Sequence, residues 1–158
     1  MATTVTPATA TITIKLAISL AGQDKGFEHS FTIASVTEVL NRIVAVPVRE
    51  IEVLGFLVTD PGAATDTALN EADVRWICLT NLDDTNFIQI IIASENNNEC
   101  AHKLEAGHSM MIPVSEEGVV DVHDALGTAL TVSFDDITSV TALANTAECD
   151  LQVVAIGV

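Results

Sequence analysis

Val74-Arg75-Trp76-Ile77-Cys78-Leu79-Thr80-Asn81-Leu82-Asp83-Asp84-Thr85-Asn86-Phe87-Ile88-Gln89-Ile90 carries the clearest β signature in this chain. Two runs rich in aliphatic and β-branched side chains flank an Asn/Asp cluster, and Asn and Asp bond their own backbone in turns, so the stretch reads as strand, turn, strand. Downstream the pattern repeats at short intervals. Residues 74–80, 86–94, 101–104, 108–114, 129–134, 137–144 and 149–158 read as strands. Turn signals separate them at 81–84, 95–98, Glu105-Ala106-Gly107, 115–118, Asp135-Asp136 and Asn145-Thr146. Many short strands without strong helical periodicity predict an all-β sandwich or barrel of about eight to ten strands, not a βαβ sheet.

Upstream, Ile12, Ile14, Leu16, Ile18 and Leu20 alternate with Thr11, Thr13, Lys15, Ala17 and Ser19, the period of a strand with one face buried. After the connector Gly22-Gln23-Asp24-Lys25-Gly26, Phe27, Phe31 and Ile33 alternate with polar residues, which predicts a hairpin. Ser35-x-x-Glu38 ahead of Val39, Leu40, Ile43 and Val44 matches a helical capping box. Pro47 and the β-branched content of 39–48 favour extended chain with one helical turn instead. Residues 60–66, with Pro61-Gly62, read as a loop. The uncharged segment 2–10 reads as an extended N-terminal arm, which divides the chain into an arm over 1–10 and one domain over 11–158 with a core beginning at Ile12.

The 158 residues are 49% hydrophobic, enough to bury one core without staples. No charged-then-apolar leader is legible at 1–13 and no apolar run reaches the ~18–20 residues of a membrane span, so neither targeting nor a membrane partner is expected. A formal net charge of −16, with no Lys or Arg after Lys103, opposes nucleic-acid binding, which needs clustered cations. Cys78, Cys100 and Cys149 are odd in number and lack metal-ligand spacing, so they read as buried free thiols made in a reducing cytoplasm.

No residue pattern signals catalysis. His29, His102, His108 and His123 lack the spacing of a cupin metal set, and Asp83-Asp84 and Asp135-Asp136 read as turns instead of calcium or acid–base sites. No Gly-x-Ser-x-Gly, no phosphate loop and no tyrosine is present. Trp76, in mid-strand, reads as packing and not as a sugar platform. The expectation is a non-enzyme with no catalytic residue, metal or cofactor.

The stretch from Val74 to Ile90 resembles a strand-turn-strand pattern of small virion structural proteins of tailed bacteriophages. Lys103-Leu104-Glu105-Ala106-Gly107-His108-Ser109-Met110-Met111-Ile112-Pro113-Val114, the segment 137–157, and 35–54 with its Arg42-Ile43-Val44-Ala45-Val46-Pro47 are similar to other parts of those proteins. The likeness spans residues 35–54 and 74–157. It implies a jelly-roll-like antiparallel β-sandwich and a virion protein, made in the host cytoplasm, of the capsid decoration (cement) type. Its partners would be the major capsid protein or other virion proteins, and further copies in a homo-oligomer. A tail or neck component is the alternative within the particle, and a cupin-like carbohydrate- or metal-binding module the alternative outside it. The uncharged arm and first strand, through Thr3, Val5, Pro7, Ile12 and Ile14, are the expected interface, because an arm can add to a neighbour's sheet edge without desolvating charge.

Overall fold

A computed structural model describes residues 5–57, 69–96, 98–115, 118–119 and 134–158. Thirteen strands and one 3-10 turn lie among them, β1 (Ala8–Leu16), β2 (Ser19–Leu20), β3 (Gln23–Asp24), β4 (Phe27–Val36), β5 (Glu38–Val46), β6 (Ile51–Leu57) and β7 (Leu69–Asn70) first. The 3-10 turn Glu71–Asp73 leads into β8 (Val74–Asn81), β9 (Ile88–Ser94), β10 (Glu99–Leu104), β11 (Ser109–Pro113), β12 (Ile137–Ala144) and β13 (Cys149–Gly157). The chain forms two compact units that divide between Thr37 and Glu38.

In the larger unit, one sheet has the order β11-β8-β13-β5 and the other β10-β9-β12-β6-β7. Strand pairs nest inward along the chain: β5 with β13, β6 with β12, β8 with β11 and β9 with β10, all antiparallel. Two more antiparallel pairings, β8 with β13 and β9 with β12, and a short parallel pairing of β7 with β6 complete the sheets. A long hairpin whose strands pair first with last and then wind between two sheets is the jelly roll. The fold is therefore an all-β sandwich, as the spacing of strands and turns predicts, with the jelly-roll-like strand order that the resemblance implies.

Its core follows from the period of two. Ile77, Leu79, Leu151, Val153 and Ala155 face inward from one sheet, and Ile88, Ile90, Val140 and Ala142 from the other, all with 0% exposure. Each fully buried Leu, Ile or Val stabilises the sandwich by about 1.5–3 kcal/mol. β13 alternates buried Leu151, Val153 and Ala155 with half-buried Gln152 and Val154 and lies between β8 and β5 at the middle of its sheet.

The smaller unit is a two-stranded ribbon of β1 and β4, with Ile12 opposite Phe31, Ile14 opposite His29 and Leu16 opposite Phe27. Beyond it β2 and β3 close around Ala21 (φ 53°) and Gly22 (φ 77°), whose paired left-handed conformations match the right-handed twist of a two-residue hairpin turn. Here several expectations need correction. Ile18 and Leu20 do not continue β1, because the strand ends at Leu16 and the chain resumes as a separate pair of two-residue strands. Ile12 and Ile14 are half-buried and belong to no core. Among residues 5–37 only Val36 is buried, so the core begins in β5. The helical turn expected after Ser35 is absent, since Ser35 takes φ 59° at the end of β4 and Glu38 opens a strand paired along its length with β13. The C-terminal end of the arm is itself strand, with Ala8 opposite Val36 and Ala10 opposite Ile33. The loop 60–66 and residues 129–133 of the strand expected at 129–134 lie outside the described residues.

Candidate interaction surface

The ribbon is amphipathic. Ala10, Ile12, Ile14 and Leu16 of β1 share one face with Phe27, His29, Phe31 and Ile33 of β4, by the pairing register and the alternation of side chains. The opposite face is polar: the hydroxyls of Thr13 and Ser30 lie 2.9 Å apart, and Lys15 pairs with Glu28 at 3.2 Å. On the apolar face Leu16 remains 46% exposed and Phe27 55%, and beyond the ribbon Ile18 and Leu20 are 46% and 64% exposed. The ring of His29 stacks on Phe31, centroids 6.3 Å apart. Of the residues expected at the interface, Ile12 and Ile14 stand together on this face, half-buried. Val5 and Pro7 are exposed and precede the strand, and Thr3 lies outside the described residues.

The two lysines and two acidic residues of 1–37, Lys15, Lys25, Asp24 and Glu28, cancel, so the whole formal charge of −16 lies beyond Thr37. A neutral apolar ribbon is thus joined to a strongly acidic sandwich. The sandwich has exposed apolar side chains of its own, Val39 and Ile43 on edge strand β5 and Met111 on β11. Arg42 of β5 points inward and its Nη2 donates to the Val53 carbonyl of β6 at 2.6 Å, tying one sheet to the other, while its Nε is buried with no hydrogen-bond partner.

The polar residues that suggested chemistry hold the sandwich together. Asn81, fully buried, donates through Nδ2 to the carbonyls of Asn86 (2.8 Å) and Leu104 (3.2 Å) and accepts from the Asp83 amide (3.0 Å). Asp83 accepts from the amides of Thr85 and Asn86, and these bonds hold its carboxyl below the ordinary value of 3.8. That is the turn chemistry expected of the first Asp doublet. The second differs: Asp135 is 5% exposed and accepts from Ser94 Oγ (3.1 Å), Asn96 Nδ2 (2.6 Å) and Asn98 Nδ2 (3.1 Å). Sequence reading missed this buried carboxylate, although Ser94, Asn96 and Asn98 in one turn formed a donor cluster that could have flagged it. Nearby Glu71 is raised above 4.5 by burial first, then by the charges of Asp136 and Glu95, and its Oε2 is buried without a partner.

No group of three or more His, Cys, Asp or Glu among the described residues is arranged to hold a metal ion. His108 Nδ1 contacts the Ala106 carbonyl at 2.8 Å within its turn, His102 is exposed on β10 of the other sheet, and His123 lies outside the described residues. Trp76 is 5% exposed, opposite Pro113 and Ile156, so its ring offers no open stacking face for a sugar. All three cysteines are free, but only Cys149 is buried; Cys78 and Cys100 are half-exposed, because Cys78 alternates with inward Ile77 and Leu79 and points out of its sheet. Comparison of the chain with family models, curated proteins and solved structures finds no match.

Proposed function

We propose that this chain is a non-enzymatic structural protein of a tailed-phage virion, a capsid decoration protein that binds between major capsid proteins. The observation that carries the reading is the ribbon, a unit with almost no core of its own attached to a sandwich that has one. A lone two-stranded hairpin is marginal in water, and ordering it costs about 1–2 kcal/mol of backbone entropy per residue, which contacts outside the unit must offset. A self-sufficient acidic body bearing a neutral apolar grip suits an assembly subunit. The sequence resemblance supplies the particle, and the jelly roll agrees with it by analogy, being common in capsid, lectin and cupin domains.

The test is binding of the purified full-length chain to phage particles that lack it, followed by sedimentation and particle thermal stability. Saturable occupancy on the shell and a raised rupture temperature are expected, with loss of both in Ile12→Asp/Ile14→Asp. Labelling on the tail or neck would move the protein within the particle, and absence of binding to any part of it would sink the reading.

A further inference from the structure

We propose that the free edge of β5 is a docking site for an extended segment of a different protein, one that alternates β-branched residues with lysine or arginine and adds to the sheet as a further strand. The inference goes beyond the decoration reading and does not require it. β5 runs nine residues and pairs only with β13, in unbroken register from Glu38 to Val46. Among the described residues, no strand or turn takes the hydrogen-bonding groups of its other edge. The other edges of the sandwich are guarded. β11 has five residues and ends on Pro113, β7 has two, β10 carries Glu99, His102 and Lys103, and β6 carries Glu52 and shifts register against β12 between Leu54 and Glu52. Shortness, proline, charge and bulges are the devices that stop an edge from recruiting another chain. β5 has neither proline nor bulge, and its one cation, Arg42, is turned inward to the Val53 carbonyl.

The core is unfinished on the same side. Leu40 and Val44 face it and stay half-buried, although the residues opposite them in β13, Ala155 and Leu151, are 0% exposed. On the outer face Val39 and Ile43 stand 59% and 62% exposed in the whole chain. A strand answers both features, because its backbone takes the open hydrogen bonds while one row of its side chains extends the core past Leu40 and Val44. Charge then selects the composition of that strand. The formal charge beyond Thr37 is −16, Glu38 opens β5, and Asp150 stands opposite Ala45 near its far end. A second copy, equally acidic, is repelled. Lysines or arginines on the outer row of a foreign strand are attracted, and their stems lie over Val39 and Ile43.

The probe is the acetylated and amidated peptide KVTIKVTIK, titrated calorimetrically into the full-length chain. Saturable binding at one site is expected, weakened about tenfold between ~50 and ~500 mM NaCl. Hydrogen exchange should show new protection concentrated in 38–46. The peptide EVTIEVTIE should bind at least about tenfold more weakly, and KVTPKVPIK, whose prolines remove amide donors, should not bind. Val39→Lys/Ile43→Lys, which puts cations on the exposed face of the edge, should keep the urea midpoint of the wild type and weaken binding of KVTIKVTIK at least about tenfold. Met111→Lys, on the guarded edge strand β11, should bind it like the wild type. No binding of KVTIKVTIK, equal binding of the two charge forms, protection elsewhere in the chain, unimpaired binding by the Val39/Ile43 variant, or loss in the Met111 variant instead each overturns the proposal. So do dimers of the chain that KVTIKVTIK dissociates, since a second copy would then be the occupant. Particle occupancy without peptide binding would overturn the docking edge and leave the decoration reading standing. Peptide binding without particle occupancy would do the reverse.

Discussion

Ser94 donates its hydroxyl to the buried carboxylate of Asp135 at 3.1 Å, across forty-one residues of sequence. The bond joins the end of β9 to the approach to β12, and the Asn96 and Asn98 amides complete the shell. The backbone of Asp135 is held as well, its carbonyl accepting from Val119 at 3.0 Å. A Cβ on Gly118 (φ 83°) would collide with the carbonyls of Phe134 and Asp135, so glycine is required there.

Asp135→Ala orphans the buried Ser94 hydroxyl and removes the shared acceptor, which should cost about 1–3 kcal/mol. Asp135→Asn should also destabilise, because its amide brings two donors to a site already filled with donors. Thermal unfolding at neutral pH measures both, and a melting temperature equal to wild type for Asp135→Ala would refute the role given to the carboxylate.

Asn81 discriminates donor from acceptor. Asn81→Asp keeps the bond from the Asp83 amide but turns a carboxylate oxygen toward the Asn86 and Leu104 carbonyls, so it should be less stable than Asn81→Ala at neutral pH. Urea midpoints of the two variants give the order, and the reverse order is the outcome that contradicts it.

Two carboxylates respond to pH with opposite sign. Glu71 has a raised folded-state value, so its favourable contribution is complete below its unfolded value of 4.5 and is lost as pH rises through the folded value. Glu71→Gln should therefore melt higher than wild type at pH 7 and equal to it below about pH 4. Asp83 has a lowered value; its contribution is present above 3.8 and is lost as pH falls through the folded value. Asp83→Asn should lose its deficit against wild type in acid, and a pH-independent gap would contradict the sign.

Burial first, then the charges of Asp83 and Asp150, raise the Cys149 thiol, and burial raises that of Cys78. Because the thiolate is the reactive form and Cys149 is 1% exposed, native labelling at pH 7.5 should reach Cys149 last. Mass spectrometry after timed alkylation gives the order, and Cys149 labelling ahead of Cys78 would contradict it.

The sandwich was legible because its local signals agree. In β8, β9, β12 and β13 the period of two marks the inward side chains, and Asn81 and Asp83 stop the strand where their side chains bond the backbone. Alternation at Ile12, Ile14 and Leu16 marks a face with equal clarity, yet it does not say what covers the face, and the ribbon leaves it half open. Ser35 and Glu38 show the limit of a local motif: the capping spacing is present, but pairing of β5 with β13 outweighs one turn of helix. Asp135 was hidden for a similar reason. An aspartate doublet looks the same at an exposed turn as at a buried one, and its donors lie some forty residues away.

β13, the last of the described strands in chain order, occupies the middle of its sheet between β8 and β5. Until β13 has been made, β5 and β8 have no common neighbour, and the edges that will pair with it face solvent. The ribbon, by contrast, precedes the sandwich in chain order and pairs locally, its greasy side formed before the sandwich can exist. Folding of the sandwich therefore ends in a late and cooperative closure when β13 slots in. An affinity tag or degron placed close behind Gly157 thus acts on the keystone of the sheet.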